Sequence, residues 1–227
     1  MLLTSGSLLF SDPGAFLAML IAIAASLLVG ITVHEFSHAL VAYRLGDTTA
    51  ARKGRLSLNP RAHLDLTGTI MVLLAGFGWG KPVPVDPSQL RNGRQGMALV
   101  SLAGPIANVL VAMAFALPFH LGLLTIPEVW PPRGLDLGLL PAYIAFVGVF
   151  LNLVLAVFNL LPVYPLDGSS VLLGVTPHRW APTVSRLQLL GPAVLVGVIL
   201  LDVAFGYGLL WRVIGPVVNW ALTALLG

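Results

Sequence analysis

The sequence predicts an all-α polytopic membrane protein, and three observations carry that reading. Of its 227 residues, 57% are hydrophobic and only 9% are charged, against about a quarter charged in soluble domains. The mean hydropathy is +0.94. Apolar runs, separated by polar or proline-rich stretches, are long enough to cross a hydrocarbon core of roughly 30 Å as helices. Five such runs can be drawn, six at most. One more apolar stretch, between the first and second, is too short to span. The chain has no cysteine, which excludes disulfides and thiolate metal ligands. A net charge of +3 does not suggest nucleic acid, and the positive residues read better as topology signals. No basic n-region with a small-residue cleavage site is present, so the first hydrophobic helix is expected to stay in place. Residues 1–227 read as one integral-membrane domain, with no length left for a soluble one.

Residues 1–11 are mixed and too short to span. Asp12-Pro13 then looks like a helix start, with Asp12 as N-cap and Pro13 in the first helical position. The first helix is expected to run to about Leu45, with Gly46-Asp47 as its stop. At 1.5 Å per residue it is roughly 48 Å long, more than the membrane core needs. Arg44 and the segment 47–94 together carry eight of the twelve basic residues, which places this side in the cytoplasm. Inside that segment lies the apolar, glycine-rich island 64–79. The following Lys81-Pro82-Val83-Pro84-Val85 suits an edge strand, not a helix. The stretch 64–85 is expected to form a β-hairpin or re-entrant loop beside a cavity.

The second spanning helix is expected over 97–117. Ala103-Gly104-Pro105 in it permits close helix contact. Asn108, at membrane depth, is either interhelical glue or part of a site. A proline-rich loop with little basic charge follows, on the outer side. The third spanning helix, 139–161, ends in Asn159-Leu160-Leu161-Pro162-Val163-Tyr164-Pro165-Leu166-Asp167-Gly168, where two prolines should break it. A polar link, 176–186, leads to two last helices, 187–205 and 209–226, joined by Gly206-Tyr207-Gly208 and flanked by Asp202 and Arg212. The catalytic core is expected over about 14–174, with 187–226 as a C-terminal helical hairpin.

The chemistry starts at His34-Glu35-Phe36-Ser37-His38. Residues four apart share a helix face, so His34 and His38 can hold one ion. Two imidazoles suit zinc and leave room for a third ligand and a water. Glu35 stands where it can act as general base. Three ionisable groups within five residues of a membrane helix are costly unless they bind something. Asp167 lies on the same side of the membrane and is the expected third ligand, although it could also cap the short helix that follows.

Together these pieces resemble the site-2 protease family of intramembrane zinc metalloproteases. The matching stretches are His34 to His38, Asn159 to Gly168, and Ala103-Gly104-Pro105 with Asn108. The runs Arg55 to Leu66 and Gly78 to Val85 look like its minimal bacterial branch, which lacks PDZ and CBS domains. The resemblance covers residues 30–174. It implies one catalytic zinc on His34, His38 and Asp167, with Glu35 as base. It also implies that Asn108 and Asn159 stand near the active site, where an amide could hold substrate backbone or a developing oxyanion. Expected partners are a transmembrane protein substrate and the lipid bilayer. The expected location is the bacterial plasma membrane, with the active site facing the cytoplasm. The chain departs from relatives in having Ser169 and Ser170 after Asp-Gly, where a basic residue is common. It also has no room in 1–11 for an added spanning helix. A transporter or sensor using the same ligands, and a non-cutting scaffold, are the rival readings. His63-x-Asp65 could bind a second metal or simply be solvated or hydrogen-bonded, and His178 is undecided.

Overall fold

The computed structural model describes residues 2–65, 67–68 and 80–227. Its spanning framework is three long helices that pack on one another. Helix α1 (Leu2–Ser11) leads into α2 (Pro13–Arg44), which continues without a break past both histidines. Asp12 caps α2 as expected, its carboxylate accepting from Ala15 N at 2.9 Å. The same carboxylate takes the Gly134 N–H at 2.8 Å and so ties the loop at 121–139 to the helix start. At the other end Gly46 adopts φ +110°, which only glycine takes without strain, and the helix stops.

Helix α3 (Gly93–His120) and helix α4 (Leu140–Asn159) flank α2. The buried face of α2 is built largely of small residues: Ala15, Ala18, Ala22, Ser26 and Gly30 run down to the histidines. Such a face lets helix backbones approach closely inside a membrane, where hydrophobic burial supplies little drive. Met19, Ala22 and Ile23 of α2 meet Tyr143 and Val147 of α4. Ala112 and Ala116 of α3 meet Val149 and Leu153 of α4. Gly148 permits that second contact: a Cβ there would stand 2.5 Å from the Phe115 ring.

After α4 the chain breaks at the prolines, and helix α5 (Asp167–Val175) packs back on α3, with Gly174 against Ala98. The expected polar link at 176–186 is instead partly helical. Helix α6 (Ala181–Gln188) precedes helix α7 (Gly191–Phe205), so the helix expected from 187 starts later. The physical reason is proline placement. Pro182 and Pro192 each lack an N–H and are accommodated in a first helical turn, which divides the stretch in two. Helix α8 (Leu209–Leu226) closes the chain, its Val218 buried against the α3–α4 contact. Asp202 does not need Arg212 as a partner. Its carboxylate caps α8, accepting from Leu209 N at 2.6 Å and Leu210 N at 2.9 Å.

Among the described residues α2, α3, α4 and α8 are long and apolar enough to cross a membrane. The pair α6–α7, bent by 45°, makes a fifth crossing if it is one span. The protein is a multi-pass membrane protein. Most of the expected hairpin, residues 66 and 69–79, lies outside the described residues. Its base is described: Leu64 and Gly80 form an antiparallel bridge, so the chain leaves and returns side by side.

Candidate metal centre

His34 and His38 lie one helical turn apart on the buried face of α2, and their Nε2 atoms are 3.0 Å apart. Asp167, in the first turn of α5, brings Oδ2 to 3.2 Å from His34 Nε2 and 3.3 Å from His38 Nε2. The proline break makes this possible by turning the chain back toward α2 and α3.

The outward nitrogens of both rings are already used. His38 Nδ1 lies 2.7 Å from the Val100 carbonyl, which can only accept, so this nitrogen carries the proton. His34 Nδ1 lies 2.6 Å from Asn108 Oδ1, likewise an acceptor. In the neutral rings both Nε2 atoms are therefore bare lone pairs, and they face each other and a carboxylate oxygen. Asp167 Oδ2 is sealed inside the protein without a hydrogen-bond partner. Three electron-rich atoms packed this way repel one another unless a cation sits among them.

Helix α3 forms the back wall of the site. A Cβ on Gly104 would stand 2.5 Å from His34 Cε1 and from His38 Nε2. Only glycine leaves the rings their space. In front, a cavity of about 500 Å³ opens, lined by Glu35, Val83, Phe158, Asn159 and Tyr164 among others.

Glu35 is held from the loop side. Its Oε2 accepts the Val83 N–H at 3.2 Å. Residues 80–83 are themselves pinned. Lys81 N donates to the His63 carbonyl at 2.7 Å. Arg55, nearly buried, donates to the carbonyls of Lys81 at 3.2 Å and Pro82 at 3.0 Å, and to that of Ala62. His63 is not solvated and is not part of the metal group: it is fully buried and donates from Nε2 to the Ser57 carbonyl at 2.6 Å. Among the described residues no strand forms at 81–85, where an edge strand is expected. The N–H groups of Lys81 and Val83 are used inside the protein, and Pro82 has none.

The comparisons agree with this chemistry. The chain is 37% identical to the "Putative zinc metalloprotease YwhC" of Bacillus subtilis, over 88% of this chain and 87% of that protein. It is 31% identical to the "Putative zinc metalloprotease MJ0611" of Methanocaldococcus jannaschii, over 81% of this chain and 84% of that one. The chain belongs to the site-2 protease-like family of zinc metalloproteases. A third member, the "Putative zinc metalloprotease Rip2" of Mycobacterium tuberculosis, is 36% identical over 74% of this chain and 61% of its own length. No family model and no solved structure matches the chain.

As in its relatives, zinc is the metal of this family member. The donor set fits. Tetrahedral zinc with bonds of about 2.0–2.2 Å holds its ligand atoms roughly 3.3–3.6 Å apart, close to the spacings of the His34, His38 and Asp167 atoms. They are the one group of this kind found among the described residues.

The two asparagines that the family resemblance singles out differ. Asn159 lines the cavity, its Nδ2 donating to Leu155 O at 2.9 Å. Asn108 is sealed in the core at 0% exposure and faces His34 from behind. Arg55 and Asn152, both built into the surroundings of the site, were not picked out by sequence. For Asn152 a signal existed, since it is a lone polar residue within an apolar helix.

Proposed function

We propose that this protein is an intramembrane zinc endopeptidase that hydrolyses a peptide bond of a membrane-spanning substrate near the cytoplasmic face. The observation that carries the reading is the convergence of His34 Nε2, His38 Nε2 and Asp167 Oδ2 beside Glu35, all at one cavity. His34, His38 and Asp167 hold the zinc. When bound, zinc supplies a water acidic enough to ionise near neutral pH and a Lewis acid for the scissile carbonyl. Glu35 takes the proton at its carboxylate and passes it to the leaving amine. The Val83 N–H keeps that carboxylate turned toward the cavity. Asn159, on the cavity wall, is the asparagine placed to meet substrate. Asn108 has its amide spent inside the protein, and its role is to orient His34. The basic loops around 44–94 support a cytoplasmic position for this end of the molecule.

The test pairs zinc content with cleavage of a panel of membrane-spanning peptides in detergent, for the wild type and Glu35→Gln. Both proteins should hold about one zinc, and only the wild type should cut. A Glu35→Gln protein that cuts as fast as the wild type removes Glu35 as base. A wild type that takes up no zinc under metal-replete conditions removes the ligand assignment. A transporter would need no base, and its metal flux would survive the substitution.

A further inference from the structure

A neutral imidazole can carry its proton on either nitrogen, and only one choice leaves Nε2 of His34 free to bind metal. That choice rests on which end of the Asn108 amide faces the ring. Asn108 Oδ1 faces Nδ1 at 2.6 Å because its Nδ2 is engaged elsewhere. Nδ2 donates to the Gly30 carbonyl at 3.2 Å and to Asn152 Oδ1 at 2.8 Å. Asn152 is oriented in turn, its Nδ2 donating to the Gly148 carbonyl at 2.8 Å. The relay thus ends on a backbone carbonyl, which cannot donate. Every link therefore runs one way, from the His34 N–H through Asn108 to Asn152 and on to α4. Both asparagines are fully buried, so water does not compete. Gly30 makes room for the relay, since a Cβ there would stand 2.7 Å from Asn152 Oδ1.

We infer that Asn152 is a positioning residue for the metal centre, which sets the tautomer of His34 through Asn108. The inference rests on the reading of His34 as a zinc ligand. Without the Asn152 acceptor, only the longer bond to the Gly30 carbonyl holds Nδ2 in place, and Asn108 turns over more readily to offer its NH₂ to the ring. His34 then moves its proton to Nε2, and that nitrogen no longer ligates.

Two variants separate positioning from packing. Asn152→Leu removes the acceptor at similar volume. Asn152→Asp keeps an acceptor for Asn108 but loses the donor to Gly148 and buries a charge, so it costs more in folding. Full-length protein is purified in detergent. Zinc affinity is read by chelator competition, Tm by thermal unfolding, and the histidine tautomers by ¹⁵N spectra of the metal-free protein. Asn152→Leu should weaken zinc about 10- to 100-fold, the usual effect of losing a partner behind a ligand. It should also shift His34 away from the Nδ1–H form while His38, held by Val100, stays unchanged. Asn152→Asp should lower Tm at least as much, yet bind zinc within about threefold of wild type, the ligand geometry being kept. Loss of affinity in both variants in proportion to Tm overturns the inference, as does an Asn152→Leu protein with unchanged affinity and an unchanged His34 signal. A wild type that binds no zinc instead overturns the metal reading, and the nitrogen spectra then judge the relay alone.

Discussion

Gly104→Ala adds one methyl group at the point where it should matter most. Its carbon would stand 2.5 Å from His34 Cε1 and His38 Nε2, and 2.6 Å from His34 Nε2. Ordinary contacts between such atoms are about 3.5 Å or more, so the rings or helix α3 must yield by roughly 1 Å. The rings cannot swing freely, because Asn108 and Val100 hold them from behind. Zinc sites tolerate only about ±0.2 Å in ligand position. Overpacking of one methyl typically costs about 1–3 kcal/mol. If that cost falls on the metal-bound state, zinc binds about 5- to 150-fold more weakly. The helix itself does not suffer, since alanine is favoured over glycine by about 1 kcal/mol in a helix interior. The expected result is a folded protein with a steep loss of zinc in chelator competition. A Gly104→Ala protein that holds zinc as tightly as the wild type would refute the close packing of α3 on both rings.

Other outcomes follow from the loop and the caps. Arg55→Met removes the donors to three carbonyls and frees residues 80–83 from Glu35; peptide cleavage should fall at least tenfold with zinc content unchanged, the loss of two to three charged hydrogen bonds being about 1.5–3 kcal/mol each. Val83→Pro deletes the one N–H held by Glu35 and should likewise slow cleavage without releasing zinc, whereas Val85→Pro should slow it only if a substrate strand docks beyond the pinned residues. Asp202→Ala removes the α8 cap and should cost about 1–2 kcal/mol in thermal unfolding, leaving zinc affinity untouched. Asp47 joins the end of α2 to the loop, accepting from Thr49 N at 2.8 Å and Asp86 N at 2.7 Å. Burial pulls its carboxyl up, but the hydrogen bonds from Thr49 and Asp86 outweigh this and hold it below the usual carboxylate range. Its contribution is therefore full above the unfolded value of about 4 and is lost as pH falls through the lower folded value. As pH falls from 6 through about 4 and below, the gap in Tm between wild type and Asp47→Ala should narrow, and a gap that stays constant would rule this contribution out.

The candidate metal site was legible because its residues violate their setting. His34, Glu35 and His38 are ionisable groups in an apolar helix, and Asp167 follows a proline break that a simple span would not contain. The start of α2 was legible because Asp-Pro capping is local chemistry. What was not legible depends on partners distant in sequence. Gly104 read only as a small residue, because nothing in Ala-Gly-Pro says which atoms will face it. Asn108 read as either glue or site; it is a partner to His34 and a link between helices at once. Arg55 counted as one more cytoplasmic charge, although it is buried and serves three carbonyls. Lys81 to Val85 read as an edge strand but forms none, and the N–H groups of Lys81 and Val83 go to His63 and Glu35, which lie far away in sequence. The division of 187–205 was written in Pro182 and Pro192, ten residues apart, and was passed over because both flank apolar runs.

Two of the three residues proposed to hold zinc sit on the first long helix, and the third follows the break after α4, about 130 residues later in the chain. At a synthesis rate of about 5–20 residues per second, His34 and His38 wait roughly 6–26 s before Asp167 exists. Chain order thus acts as a latch. On the proposed reading, a nascent or truncated chain that stops short of Asp167 carries the base and both histidines yet cannot cut its neighbours. Hydrolytic power arrives only when the three-helix frame around the site is already complete.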